Sequence, residues 1–276
     1  MAETRRPLHQ PQKHQLGGLS QRPRLRQRES RVKCLALLIQ HDVFAAEHVG
    51  ARPRIGLGRF EPSVVAAALG DASAVIGVDG SIGMLAVGRR VRPHVRTVAA
   101  VVIDLPFRDG TFDAVIGNFV LAHFTKYQTA LHDLLRVLRP GGRLALTAWA
   151  DGQDELTATW LEHVWSVVPR AVLEAALADA IPWRERFRRP ETLAEALADA
   201  GLRRVRIERR EYRFSYTLDD YVEGLGTWAT GRFVRSMLGE GGWRSFLARV
   251  REDFGRRFAD PVLDLREVLI AVGEKP

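Results

Sequence analysis

The sequence predicts an α/β protein built on a doubly wound, mostly parallel sheet. Three observations carry this expectation. Short aliphatic runs at 74–78 (AVIGV), 98–103, 112–119 (FDAVIGNF) and 143–149 (RLALTAW) read as buried strands. Helix-period segments lie between them, each joined by a short loop, which is the alternation of a parallel sheet covered on both faces. Hydrophobic residues make up 46% and charged residues 27% of 276 residues, enough for a substantial core.

The elements follow in chain order. Residues 1–33 are rich in Arg, Gln, Pro and His, cannot offset their chain entropy by burial, and are expected to be disordered. Residues 33–49 carry a weak helical pattern through Leu35, Leu38 and Ile39. Residues 51–62 (ARPRIGLGRFEP) hold two glycines without an apolar run in front, and 63–69 read as a short Ala-rich helix. The strand at 74–78 ends at Asp79, and Ser81 is placed to cap a helix over 82–90. After the strand at 98–103 comes the turn-rich LPFRDG, then the strand at 112–119. Residues 126–138 form an amphipathic helix stopped by Pro140, Gly141 and Gly142. Past the strand at 143–149 the chain changes character. Residues 154–190 are helical with Trp160, Trp165 and Trp183, and a helix over 191–200 ends at Gly201. Residues 203–212 alternate as a strand, 217–260 are helical and aromatic, and 268–272 (VLIAV) form a last strand. The domain reading is therefore a basic N-terminal segment at 1–50 and an α/β domain at 51–276 with helical lid insertions near 154–190 and 217–260.

Composition excludes several classes. No apolar run approaches the ~20 residues of a membrane span, and the basic N-terminus lacks the apolar stretch of a secretory signal. A single cysteine, Cys34, forms no internal disulfide, and the histidines lack ligand spacing, so a cytoplasmic protein without a structural metal is expected. The formal charge is +8, but residues 1–33 hold nine Lys and Arg against Glu3 and Glu29. The rest of the chain is nearly neutral, so the basic pI reports a tail and no nucleic-acid partner is expected. The oligomeric state is open.

Ligands of open α/β sheets bind beyond the carboxyl ends of the strands. Asp79 ends its strand there, and its two oxygens match the cis-diol of a ribose, although a capping or surface Asp is the common alternative. The runs VIGVDGSIGML, DLPFRDGTFDAVIGNFVLAHF and ALHDLLRVLRPGGRLALTAWA, with the spacing between them, resemble class I S-adenosylmethionine-dependent methyltransferases of the ubiquinone-biosynthesis and polyketide-tailoring type. The resemblance is specific over about 75–150 and implies a Rossmann-like fold, S-adenosylmethionine as cofactor and a small-molecule acceptor, such as a polyketide or quinone methylated at oxygen. It implies that Asp79 binds the ribose, and that Gly80, Ser81 and Met84 line the adenosine side. Leu105 follows the segment bordering the adenine, and Asn118 and Phe119 face the methionine half. It aligns Gly56 and Gly58 with the family's glycine-rich cofactor loop. His123, one turn beyond the fourth strand, is the candidate general base, a backbone-bonded half-buried His being an equal alternative. His163 and Tyr221 are weaker candidates.

Two positions depart from the family. Phe60 replaces the third loop glycine, where backbone approaches ligand closely, and Val101 stands where many members place an acid for the adenine amino group. A shifted reading frame or start upstream of Glu61 accounts for the first. Alternatively, the chain is a catalytically impaired methyltransferase-like protein with a partner or regulatory role. A nucleic-acid methyltransferase is disfavoured by the neutral body, and a nicotinamide-dependent oxidoreductase by the LPF and RPGG segments.

Overall fold

In the computed structural model the described residues are 34–37, 75–91, 93, 95–152 and 154–276. They build a seven-stranded sheet with strand order β3-β2-β1-β4-β5-β7-β6. The strands are β1 (Cys34–Leu37), β2 (Val75–Asp79), β3 (Arg96–Ala99), β4 (Phe112–Asn118), β5 (Leu138–Trp149), β6 (Arg203–Tyr216) and β7 (Val262–Glu274). The first five pair in parallel, and β7 runs antiparallel to both β5 and β6. The order reverses at β1, which lies between β2 and β4, and that reversal opens the crevice in which such sheets bind ligands.

The central strand corrects the helical reading of 33–49 at Cys34–Leu37, the part of that stretch the structure describes. Cys34–Leu37 is extended and pairs in register with Val75–Val78 and with Ala114–Gly117. The sheet therefore begins inside the stretch assigned to the N-terminal segment. A four-residue apolar run fits both periods, and the pairing offered by two neighbouring strands decides between them. The remaining readings at 1–33 and 38–74, including the loop with Gly56, Gly58 and Phe60, lie outside the described residues.

Other elements shift in extent. β3 starts at Arg96 and stops at Ala99, because the Asp104 amide donates to the Val101 carbonyl at 3.0 Å and turns the chain where extension to 103 was expected. β6 and β7 run longer than read, since each supplies the other with a partner over Arg203–Tyr216 and Val262–Glu274. The last pair between β5 and β7 is Trp149 with Val268, so Val262–Glu267 and Glu211–Tyr216 continue as a two-stranded ribbon beyond the end of β5.

Helix α1 (Ile82–Val91) packs on β2 and β3. Its start is capped as read: the Met84 amide donates to Ser81 Oγ at 3.3 Å. α2 (Tyr127–Val137) buries Ala130, Leu131, Leu134 and Leu135 at helical spacing. The connection into β5 passes Gly141 at φ +73° and Gly142, where an added Cβ would lie 2.8 Å from the Arg139 carbonyl oxygen. Between β5 and β6 come α3 (Glu155–Trp165), α4 (Arg170–Ala180), the single turn α5 (Arg184–Phe187) and α6 (Pro190–Asp199). Asp154 caps α3 by accepting from the Thr157 amide at 2.7 Å, and Pro190 opens α6, where no amide donor is needed. Between β6 and β7 lie α7 (Leu218–Leu225) and α8 (Ala229–Arg257), the latter broken at Gly239.

Two apolar cores result. One joins one face of the sheet to α2 and α6 through Leu131, Leu134, Leu144, Leu146, Leu193 and Leu197. The other lies within the insertions, around Trp160, Leu225, Val234, Trp243, Phe246 and Phe254. Helices α3, α4, α7 and α8 thus form a lid with a core of its own at the ribbon end of the sheet, whereas Phe187 of α5 packs in the sheet core.

Candidate functional site

The register fixes which residues meet at the carboxyl ends of the strands. Val78, Leu37, Gly117 and Leu146 share one level and one face across β2, β1, β4 and β5. One residue farther along, Asp79, Asn118 and Thr147 therefore turn to the opposite face, and so does Trp149. That face, at the strand-order reversal, is the candidate cofactor crevice.

Asp79 is only 3% exposed. Its Oδ1 accepts from the Ser81 amide at 2.7 Å, while Oδ2 is buried with no hydrogen-bond partner among the described residues. Burial pushes its carboxyl above the ordinary carboxylate range, and the Ser81 amide partly opposes this. A buried acceptor lacking a donor is costly unless a ligand supplies one. A ribose hydroxyl is such a donor, so Asp79 fits the nucleoside half of S-adenosylmethionine.

The neighbouring surface is apolar and open. Ile82 is 72% exposed and Val101 57%, and a Cβ placed on Gly80 would touch Val101 Cγ1 at 3.6 Å. The chain after β2 thus runs beside the loop after β3. These two aliphatic side chains offer a flat nucleobase more surface than half-buried Met84, and a search for exposed aliphatic residues beside Asp79 would have singled them out.

Leu105 lies lower. Its side chain is buried in the sheet core, and its amide donates to Asp133 Oδ2 at 2.7 Å. Asp133 Oδ1 also accepts from Arg136 Nε at 2.6 Å. Arg136 then donates to the carbonyls of Leu105 and Phe107 at 2.9 and 2.7 Å and to Asp109 at 3.0 Å. The LPFRDG loop is thus latched to α2 by one buried carboxylate and one guanidinium, a role the sequence reading missed.

At the end of β4, Phe119 adopts φ +55°, a left-handed conformation rare for a bulky residue. Its amide donates to Thr147 Oγ1 at 2.9 Å, and that hydroxyl donates to Asn118 Oδ1. The Phe119 ring stacks on Trp149, with centroids 4.1 Å apart and planes 16° from parallel. Strained backbone held by local hydrogen bonds is characteristic of ligand sites. His123 ends a single 3-10 turn (Leu121–His123), half-buried, next to the point where the Trp183 amide donates to the Ala122 carbonyl at 3.2 Å. His163 and Tyr221 are not brought to this crevice. His163 Nε2 lies 2.9 Å from Asp253 and ties α3 to α8, while Tyr221 is part of the lid core. Among the described residues no group of three or more His, Cys, Asp or Glu could hold a metal, and no helix is long and apolar enough to cross a membrane.

Residues 54–146 match the methyltransferase domain family. Together with the sheet order and the acid ending β2, this shows that the chain carries a methyltransferase domain of class I, the class that uses S-adenosylmethionine as cofactor. The chain is 32% identical over 137 residues to the demethylmenaquinone methyltransferase of Paenarthrobacter aurescens, covering 46% of this chain and 53% of that one. It is 38% identical over 137 residues to that of Renibacterium salmoninarum, covering 46% and 56%. It thus spans about half the length of the curated relatives it matches. A solved structure from Bacillus halodurans C-125, described as a candidate methyltransferase, shares the fold at a TM-score of 0.50 and 14% identity, covering 89% of this chain and 93% of that one.

Proposed function

We propose that the protein transfers the methyl group of S-adenosylmethionine to a quinone-type or related aromatic small molecule. The observation that carries this reading is the buried Oδ2 of Asp79 at the carboxyl end of β2, which has no donor among the described residues. The demethylmenaquinone methyltransferase names of the relatives support the quinone class. When bound, the cofactor supplies an electrophilic methyl on a sulfonium. The residues supply position. Asp79 accepts from the ribose, the aliphatic surface of Ile82 and Val101 takes the base, and Asn118 and Phe119 border the methionine half. His123 removes a proton from an acceptor hydroxyl, a step worth typically 10²–10⁴-fold where it applies.

A second reading, a methyltransferase-like protein with a partner or regulatory role, draws on Val101, an aliphatic side chain standing open beside Gly80. Calorimetric titration of S-adenosylmethionine and S-adenosylhomocysteine into the full chain separates the two. The catalytic reading expects binding by the parent and a loss of about tenfold or more in Asp79→Asn, the scale of a hydrogen bond to a charged group. No binding by the parent, with recovery in Phe60→Gly, places the defect in the glycine-rich loop. No binding by either overturns the catalytic reading.

A further inference from the structure

Trp149 is the last residue of β5, stacked on Phe119 yet still 36% exposed. In the strand order it stands three strands from Asp79, ~14 Å at the usual strand spacing. It shares with Asp79 the face of the sheet that carries the crevice. Its ring therefore lies at the far end of the crevice from the ribose acid, past Asn118 and Phe119.

The lid borders the same place. Trp149 pairs with Val268, and Arg266, two residues along β7 on the same face, holds its guanidinium 4.7 Å from the Trp228 ring. Arg266 is bound to buried Asp264 at 2.8 Å, so its charge is already balanced within the protein. The rim beyond Trp149 is thus an aromatic wall with a neutralised cation behind it, suited to a flat, uncharged ring more than to an anion.

We infer that Trp149, braced by Phe119, is the platform on which the acceptor's aromatic ring stacks, making it the specificity-determining residue for planar over saturated acceptors. The inference rests on the methyl-transfer reading but concerns a different residue and a different ligand. The left-handed backbone of Phe119, fixed by Thr147, holds the Phe119 ring against one side of the indole, and Trp149 keeps 36% of its surface exposed for the ligand.

The test uses 2-naphthol and its saturated counterpart decahydro-2-naphthol as probes. Each is titrated into the full chain with and without saturating S-adenosylhomocysteine, alongside Trp149→Leu and Trp149→Phe. Circular dichroism melts confirm that the variants are folded. The parent is expected to bind 2-naphthol about tenfold more tightly than the saturated probe. Trp149→Leu abolishes that preference, Trp149→Phe keeps part of it, and S-adenosylhomocysteine affinity is unchanged in both. Equal binding of the two probes by the parent, no binding of 2-naphthol, or an undiminished preference in Trp149→Leu overturns the inference. A parent that fails to bind S-adenosylhomocysteine but still prefers 2-naphthol overturns only the methyl-transfer reading.

Discussion

Asp79 is buried at a cost to stability. Its carboxyl is held above the ordinary value of 3.8 by burial. An acid with a raised folded-state pKa keeps its proton in the native state after the unfolded chain has released it. Stability is therefore fullest below the unfolded value and declines as pH rises from there through the folded one. Asp79→Asn keeps an acceptor for the Ser81 amide and removes the buried charge. Thermal melts between about pH 4 and pH 7 should show a flatter decline and a higher midpoint at neutral pH for the variant, while cofactor affinity falls. A lower midpoint at neutral pH would mean that the charge has a donor after all. Tyr221 offers a second case. Its hydroxyl is buried without a well-formed hydrogen bond among the described residues; burial raises its pKa, and the neighbouring Arg266 guanidinium opposes this. Tyr221→Phe should fall within ~0.5 kcal/mol of the parent in urea unfolding, or be more stable. A loss above ~1 kcal/mol would show a working hydrogen bond. At this scale the strand ends were legible: Asp79 and Asn118 close β2 and β4 where the sequence places them, with Phe119 next in the chain. Ile82 and Trp149 were not legible, and Val101 only as a departure from the family, because exposure of an apolar side chain is a property of the fold and not of the residue type.

The LPFRDG loop and the turn into β5 show how elements are tied together. The loop reads correctly from its turn residues, but its latch does not. Asp133 lies 28 residues from Leu105 and looks from sequence like a polar interruption on the buried face of α2. Asp133→Asn leaves Arg136 with the exposed Asp109 as its only carboxylate among the described residues and should cost about 1–3 kcal/mol, measured by denaturant unfolding. Arg136→Lys should recover little, since one ammonium replaces a fork that reaches two carbonyls and two carboxylates. Retention of full stability in both would mean that the loop is held by Leu105 packing alone. Gly142 is the other tie. An added Cβ would approach Arg139 and Asp113 carbonyl oxygens at 2.8 and 2.9 Å, so Gly142→Ala should lose about 1–3 kcal/mol in the same assay. The PGG segment was visible as a helix stop, but the crowding that demands glycine at its second position depends on β4 being alongside. β1 makes the same point in reverse: its residues carry no strand period of their own, and only β2 and β4 on either side make them extended.

The described residues divide into two cores joined by a ribbon. The sheet core and the lid core share no residue, and β6 and β7 carry the chain from one to the other. The alternation of strands and helices made the first core readable, whereas the second is assembled from segments on either side of β6, which periodicity alone cannot bring together. Such a division predicts separate opening. Phe246 is fully buried in the lid against Trp160 and Trp243, at centroid separations of 5.7 Å each. Phe246→Ala should cost about 3–5 kcal/mol of lid stability. Hydrogen exchange followed by mass spectrometry should show faster exchange across α3, α7 and α8, with β4, β5 and α2 unchanged, because local units open independently when few contacts join them. On the proposed function S-adenosylhomocysteine binds at Asp79, away from the lid core, and should then bind the variant nearly as well as the parent, while the 2-naphthol preference proposed for the rim of the lid weakens. Uniformly faster exchange through both cores would instead mean that the ribbon couples them into one cooperative unit, and cofactor affinity would fall together with the lid.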